Sequence, residues 1–206
     1  MSRKKFPISL PIDNCDRPLK FFEALRRIFK ITGDHEQLIR EHLTYKIYPK
    51  GYIVDGHNEL LQNRFYVING VARTYYIYKG REYNYSFSFN DQFILPPLTV
   101  RGQGEKIFIQ FLADTEICYI TPGDVSRENL PLLDTREFML FVNLAMIEHV
   151  QYMEEVMYML RLEAPDRYRW VLNKYPQILE AVSLTQLASF LNITKETLYR
   201  IRSGKY

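Results

Sequence analysis

The residues of this chain best suited to chemistry lie in the stretch Leu184–Arg202, LTQLASFLNITKETLYRIR, and that chemistry is recognition. Lys195 and Arg200 can donate to guanine O6 and N7, Arg200 bidentately, and Glu196 can accept from cytosine N4. Thr194 and Thr197 are short donors suited to phosphates, Tyr199 is a further candidate for the backbone, and Arg202 and Lys205 extend the same positive edge. Residues 161–206 hold eight Lys/Arg against four Asp/Glu, so this end carries +4 and the remainder −1, which together make the chain's +3. Positive charge concentrated beside such donors is the electrostatic footprint of a nucleic-acid contact.

The spacing within this stretch predicts what positions those groups. Ser183 with Gln186 makes a capping box that opens a short helix. Leu187, Ala188 and Leu191 form its inner face, and the small Ala188 lets a second helix approach. Asn192 stands where the chain must turn, and asparagine accepts a left-handed backbone more readily than most residues. Ile193 follows, Thr194 caps the next helix, and Leu198 and Ile201 face back inward. Two helices joined by a tight turn with this pattern form a helix-turn-helix.

No other constellation rises to a catalytic site. The histidines, at 35, 42, 57 and 149, are scattered, whereas a metal enzyme built on a β barrel needs a clustered set. Cys15 and Cys118 cannot make a cysteine framework or a four-thiolate site. No nucleophile elbow, phosphate-binding loop or dinucleotide fingerprint is present. No catalytic residue, metal or resident cofactor is therefore expected.

Glycine placement divides the rest of the chain. Eight of the nine glycines fall between Gly33 and Gly123, and the run 124–203 has none. The middle therefore reads as turn-rich β structure and the later part as helix. Leu19, Phe22, Leu25, Ile28 and Phe29 predict an N-terminal helix, and Asp34 with Gln37 a second that ends near His42. Strands are predicted over 65–68, 73–78, 107–112 and 116–120. The clearest strand is Tyr83–Phe89, in which four rings alternate with Asn84, Ser86 and Ser88. Lys79-Gly80 suits a tight hairpin before it. Such short strands suggest an antiparallel sandwich or barrel.

Asp134 with Glu137 opens a helix that runs to about Glu163, before Pro165. Phe138, Val142, Ala145, His149, Tyr152, Val156 and Met159 step along it by threes and fours. This is a seam long enough to expect a two-helix dimer contact. Trp170 is expected to pack the C-terminal unit. No segment approaches 18 uninterrupted apolar residues, so no membrane helix is expected. The basic start is broken by Pro7 and Pro11 and reads as an ordinary cytoplasmic N-terminus.

Several segments together resemble the Crp–Fnr superfamily of bacterial transcription regulators. They are YPKG (48–51), FYVINGVARTYY (65–76), the turn at Asn90-Asp91-Gln92-Phe93, FIQFLADTEICYI (108–120) and LTQLASFLNITKETLYRIR (184–202). The resemblance implies an α+β chain in three parts. These are an N-terminal antiparallel β jelly roll like a cyclic-nucleotide-binding domain over 1–131, a long central dimerisation helix over 134–163, and an all-α helix-turn-helix domain over 165–206. It also implies that Lys195, Glu196 and Arg200 match the family's base-reading positions.

The departures are specific. Cyclic-nucleotide binders carry Gly-Glu after the equivalent of Phe93 and then Arg-Ser or Arg-Ala. Neither occurs before Phe108, although Arg101 and Lys106 lie in that stretch, so cyclic nucleotide is not an expected ligand. Two cysteines cannot ligate the iron–sulfur cluster of the oxygen-sensing branch. His57 is the only histidine in the β module available for a haem. Relatives carry a β wing after the recognition helix, and only four residues follow Arg202 here, which favours binding as a dimer.

The aromatic residues of the β unit either fill its core or line a pocket for an apolar or planar effector. The candidate lining is Tyr85, Phe87, Phe93, Arg101 and Phe108. The expected function is a homodimer that reads a pseudo-palindromic operator in double-stranded DNA, with RNA polymerase and a small effector as further candidate partners. The alternative is a sensory jelly-roll protein whose helix-turn-helix makes only protein contacts.

Overall fold

The computed structural model describes residues 6–10, 19–28, 33–55, 65–95, 106–120 and 135–206. In chain order these form β1 (Ile8–Leu10), α1 (Leu19–Ile28), α2 (Gly33–His42), β2 (Leu43–Tyr48), β3 (Ile53–Asp55), β4 (Tyr66–Asn69), β5 (Ala72–Tyr78), β6 (Arg81–Ser88), β7 (Gln92–Phe93), β8 (Lys106–Phe111) and β9 (Thr115–Ile120). Helices follow: α3 (Thr135–Arg161), α4 (Ala164–Lys174), α5 (Ile178–Ala181), α6 (Leu184–Phe190) and α7 (Lys195–Arg202).

The strands make two antiparallel sheets, ordered β1-β2-β9-β4-β7 and β3-β8-β5-β6. Side-chain alternation assigns their faces. Phe65, Val67, Ile109, Phe111, Ile117 and Tyr119 fill the space between the sheets. There Tyr48 stacks on Phe111 with 4.3 Å between ring centroids. Tyr66 and Cys118, one residue out of phase, point outward and are covered by Phe21, Phe22 and Leu25 of α1. Burial drives the Cys118 thiol well above the usual thiol range.

Two turns fix the register. Gly70 sits at φ +116°, where a Cβ would come within 2.6 Å of Thr115 Oγ1, so the close crossing of β4 and β9 needs glycine there. Lys79 and Gly80 both have positive φ, 48° and 74°. This is the mirror-image turn that matches the twist of a two-residue hairpin.

The strand β6 alternates as its sequence predicts, but its aromatic side faces out of the sandwich. Ser86 and Ser88 turn inward and donate to Leu95 O and Phe93 O, each at 3.1 Å. Phe87 and Phe89 pack on the C-terminal helices, in one core with Met159, Val171, Tyr175, Leu187, Phe190, Leu191 and Leu198. The register slips between Thr74 and Tyr75, which pair with Ser86 and Asn84 and skip Tyr85. This bulge lets Asn84 and Tyr85 both reach the helices.

The helix α3 corrects the expected seam. Tyr152 and Met159 are 6% and 0% exposed within the chain itself, and Tyr152 Oη donates to Tyr85 O. His149 lies beside Tyr85, with its Nε2 3.3 Å from the phenol oxygen, and Val156 packs against the shared core. These four positions therefore face the chain's own sheet and C-terminal helices. Among the described side chains of α3, the exposed apolar residues are Ile147, Val150, Met153, Met157, Tyr158 and Leu160. Val150, Met153, Met157 and Leu160 step by three, four and three, a second stripe one residue out of phase with the first. Phe138, Val142, Ala145 and Asp134 lie outside the described side chains.

Candidate nucleic-acid interface

The helix α6 begins with the expected capping box. Gln186 N donates to Ser183 Oγ at 3.3 Å, and Ser183 N donates to Gln186 Oε1 at 3.0 Å. The turn follows with Asn192 at φ 52°, and Ile193 N donates to Ala188 O at 3.0 Å. Thr194 caps α7 by accepting from Thr197 N at 3.0 Å, and the two hydroxyls lie 3.0 Å apart. Leu187, Ala188, Leu191 and Leu198 are buried, Ile193 and Ile201 are half-buried, and Asn192 is exposed.

This leaves one face of α7 in solvent. Lys195, Glu196, Tyr199, Arg200 and Arg202 are exposed, as are Thr194 and Lys205. Lys195 and Arg200 rest over the rings of Tyr199 and Tyr206, at 5.9 and 5.8 Å from their centroids. Such contacts prop long cationic side chains outward at little cost. Thr194 and Thr197 are cap partners as well as surface hydroxyls: Thr194 Oγ1 accepts at the helix start, and one of the two hydroxyls donates to the other.

Arg167 escaped the sequence reading. Its guanidinium donates to Leu160 O and Leu162 O at 2.9 Å and to Leu191 O at 3.0 Å. One side chain thus ties the end of α3 to the turn between α6 and α7. Only Pro165 nearby marks the bend, and nothing in the local sequence marks the partners. Asn84 and Ser189 escaped as well. Asn84 Nδ2 donates to Gln186 O at 3.0 Å, and Asn84 N donates to Ser189 Oγ at 3.2 Å, so α6 lies against the edge strand β6.

The expected effector residues are only partly brought together. Phe87 and Phe93 line a cleft of about 260 Å³ with Tyr152, Lys174 and Tyr175. Tyr85 is turned to α3, Phe108 stacks on Tyr75 at 5.2 Å, and Arg101 lies outside the described residues. Burial lowers the pKa of the Lys174 ammonium, and the same cause pushes Tyr175 up to about 12. Lys174 is paired with Glu155. Among the described residues, no group of three or more His, Cys, Asp or Glu could hold a metal ion. No described helix is long and apolar enough to cross a membrane.

No family model matches the sequence, and no curated protein sequence does. Solved structures do match. The chain is similar to FixK2 from Bradyrhizobium japonicum, with a TM-score of 0.59 and 19% identity over 79% of this chain and 83% of that one. It is similar to a Crp/Fnr-family transcriptional regulator from Eubacterium rectale, with a TM-score of 0.61 and 16% identity over 86% and 87% of the two chains. It is also similar to the c-di-GMP-responsive regulator CLP of Xanthomonas campestris, with a TM-score of 0.59 and 15% identity over 84% and 91%. The fold is therefore that of the Crp/Fnr transcription regulators. At these identities the likeness is one of fold.

Proposed function

We propose that this chain is a sequence-specific DNA-binding transcription regulator that acts as a homodimer in the cytoplasm. The observation that carries this reading is the exposed polar row of α7, capped by Thr194 and backed by buried Leu198, within a fold shared with transcription regulators. α7 enters the major groove from its N-terminal end. Lys195, Glu196 and Arg200 read base edges, while Thr194, Thr197, Tyr199, Arg202 and Lys205 meet the backbone.

The dimer forms through the exposed stripe Val150, Met153, Met157 and Leu160, whose heptad spacing suits a second copy of the same helix. Two recognition helices then stand about 34 Å apart, one duplex turn. The cleft at Phe87, Phe93 and Lys174 is the place this reading assigns to a small apolar or planar effector. The units are a sensory β domain over 1–131, the helix 134–163 and the helix-turn-helix domain 165–206, with RNA polymerase as the downstream partner.

The test is selection from random duplex DNA at near-physiological salt, with Lys195→Ala/Arg200→Ala beside the native protein. The expected result is an enriched inverted repeat that the variant loses. The contacts of α6 with β6 favour the second reading, a helix-turn-helix used only for protein contacts. Failure to enrich any sequence would support it.

A further inference from the structure

The contact between β6 and α6 carries a basic hairpin tip toward the helix-turn-helix. Ser189 Oγ accepts from Asn84 N and donates to Glu82 O, both at 3.2 Å. The hydroxyl thereby stands in for the missing neighbour of an edge strand. Asn84 Oδ1 accepts from Arg73 Nη1 at 2.8 Å, which aims Asn84 Nδ2 at Gln186 O. Arg73 is 4% exposed, so this anchor is buried in the sheet.

These bonds set a direction. Passing from Asn84 back to Glu82 along β6 passes from Gln186 to Ser189 along α6. Arg81 continues β6 beyond Glu82, and Lys79 and Gly80 close the hairpin there. Lys79 and Arg81 are exposed at the tip. Glu82, the nearest acid in sequence, is spent on Arg73 Nη2 at 2.7 Å. Two exposed cations thus end the hairpin whose strand is bonded to α6, with their charge not offset by that carboxylate.

We propose that Lys79 and Arg81 form an auxiliary phosphate-binding edge, gripping the duplex backbone beside the groove that α7 enters. This rests on the DNA-binding reading above. The ligand is the phosphodiester backbone, so the contribution is independent of sequence and strongly dependent on salt.

The test uses the full chain and a mixed-sequence duplex of about 30 base pairs, long enough for half-sites one turn apart. Binding is titrated across a series of salt concentrations. Lys79→Asn/Arg81→Gln removes both charges and keeps a residue that tolerates positive φ at 79. The expected result is weaker binding and a plot of log K against log salt that is shallower by roughly two units, about 0.9 per lost phosphate contact. The base preference found by selection stays unchanged. In an Asn84→Ala background, which loosens the tip from α6, the same double substitution should change the slope by less. A hairpin variant that keeps the native slope overturns the proposal and leaves the DNA-binding reading intact. A native chain that binds no duplex at any salt overturns both.

Discussion

Phe87 of the sheet and Phe190 of α6 meet edge to face, with 5.2 Å between ring centroids and 70° between ring planes. Around them Val71 and Phe89 from the β unit share one core with Val171, Tyr175, Leu187 and Leu198 from the C-terminal helices. The two parts of the chain are therefore coupled by apolar burial as well as by covalent connection. Trp170, the only tryptophan, packs against this core and reports on it. Its fluorescence and the far-ultraviolet signal of the sheets should change in a single unfolding transition. Phe190→Ala should lower stability by about 3–5 kcal/mol by both probes. Two separated transitions in the native chain would contradict the shared core.

The proposed DNA-binding reading sets Arg200 against Lys205. Arg200→Ala should cost about 1–3 kcal/mol on the selected operator and relax preference at one base pair. Lys205→Ala should weaken all duplexes alike and reduce the salt slope by about one. Titration on matched and mismatched duplexes measures both, and equal losses on every duplex for Arg200→Ala would remove it from base reading.

The second apolar stripe of α3 predicts the oligomeric state. Val150 and Met157 are 50% and 51% exposed, so Val150→Glu/Met157→Glu leaves the chain's own core intact. Sedimentation should show a monomer, with the native Trp170 fluorescence retained. Tyr152→Ala should instead destabilise the fold, because that ring is buried against Tyr85. A dimer that survives the double substitution would place the interface elsewhere.

Removing the Arg167 guanidinium leaves four carbonyls, those of Leu160, Leu162, Leu191 and Asn192, without their charged donor. Hydrogen bonds to charged groups contribute about 1.5–3 kcal/mol each, and these carbonyls are open to partial replacement by water, so Arg167→Ala should cost about 3 kcal/mol. Thermal denaturation measures the loss. Arg167→Lys should recover only part of it, because an ammonium cannot span the three directions of the fork.

Acid should loosen the joint between α1 and α2. Burial raises the pKa of Glu36, but hydrogen bonds from Arg40 and Arg26 outweigh it and hold the carboxyl below its ordinary value of 4.5. A folded-state pKa that is depressed contributes stability above the unfolded value and loses it as pH falls through the folded one. Stability carried by this pair of ion pairs is thus present above pH 4.5 and disappears below it. Glu36→Gln should reduce stability near neutral pH and flatten its fall in acid, as followed by urea denaturation from pH 6 downward. An unchanged acid limb would show that Glu36 does not carry it.

The parts of the fold that were legible in the sequence are local. The capping box at Ser183 and Gln186, the left-handed turn at Asn192 and the Lys79-Gly80 hairpin follow from a few neighbouring residues and the backbone they permit. The misread parts depend on which of two equivalent surfaces meets which neighbour. Along α3, positions 149, 152, 156 and 159 and positions 150, 153, 157 and 160 form two seams one residue apart. Periodicity alone cannot say which one the chain uses itself. In β6, strict alternation separates the rings from the serines without telling which side faces the other sheet. The Arg73–Asn84–Gln186 chain and the bonds of Arg167 join residues far apart in sequence, and no local pattern encodes them.

Because Arg167 donates to the last turn of α3 and to the bend before α7 at once, it ties the tilt of α7 to that of α3. In a paired molecule that tilt becomes a ruler. On the proposed reading, the number of base pairs tolerated between the two halves of an operator would depend on a side chain placed to touch neither the bases nor the partner.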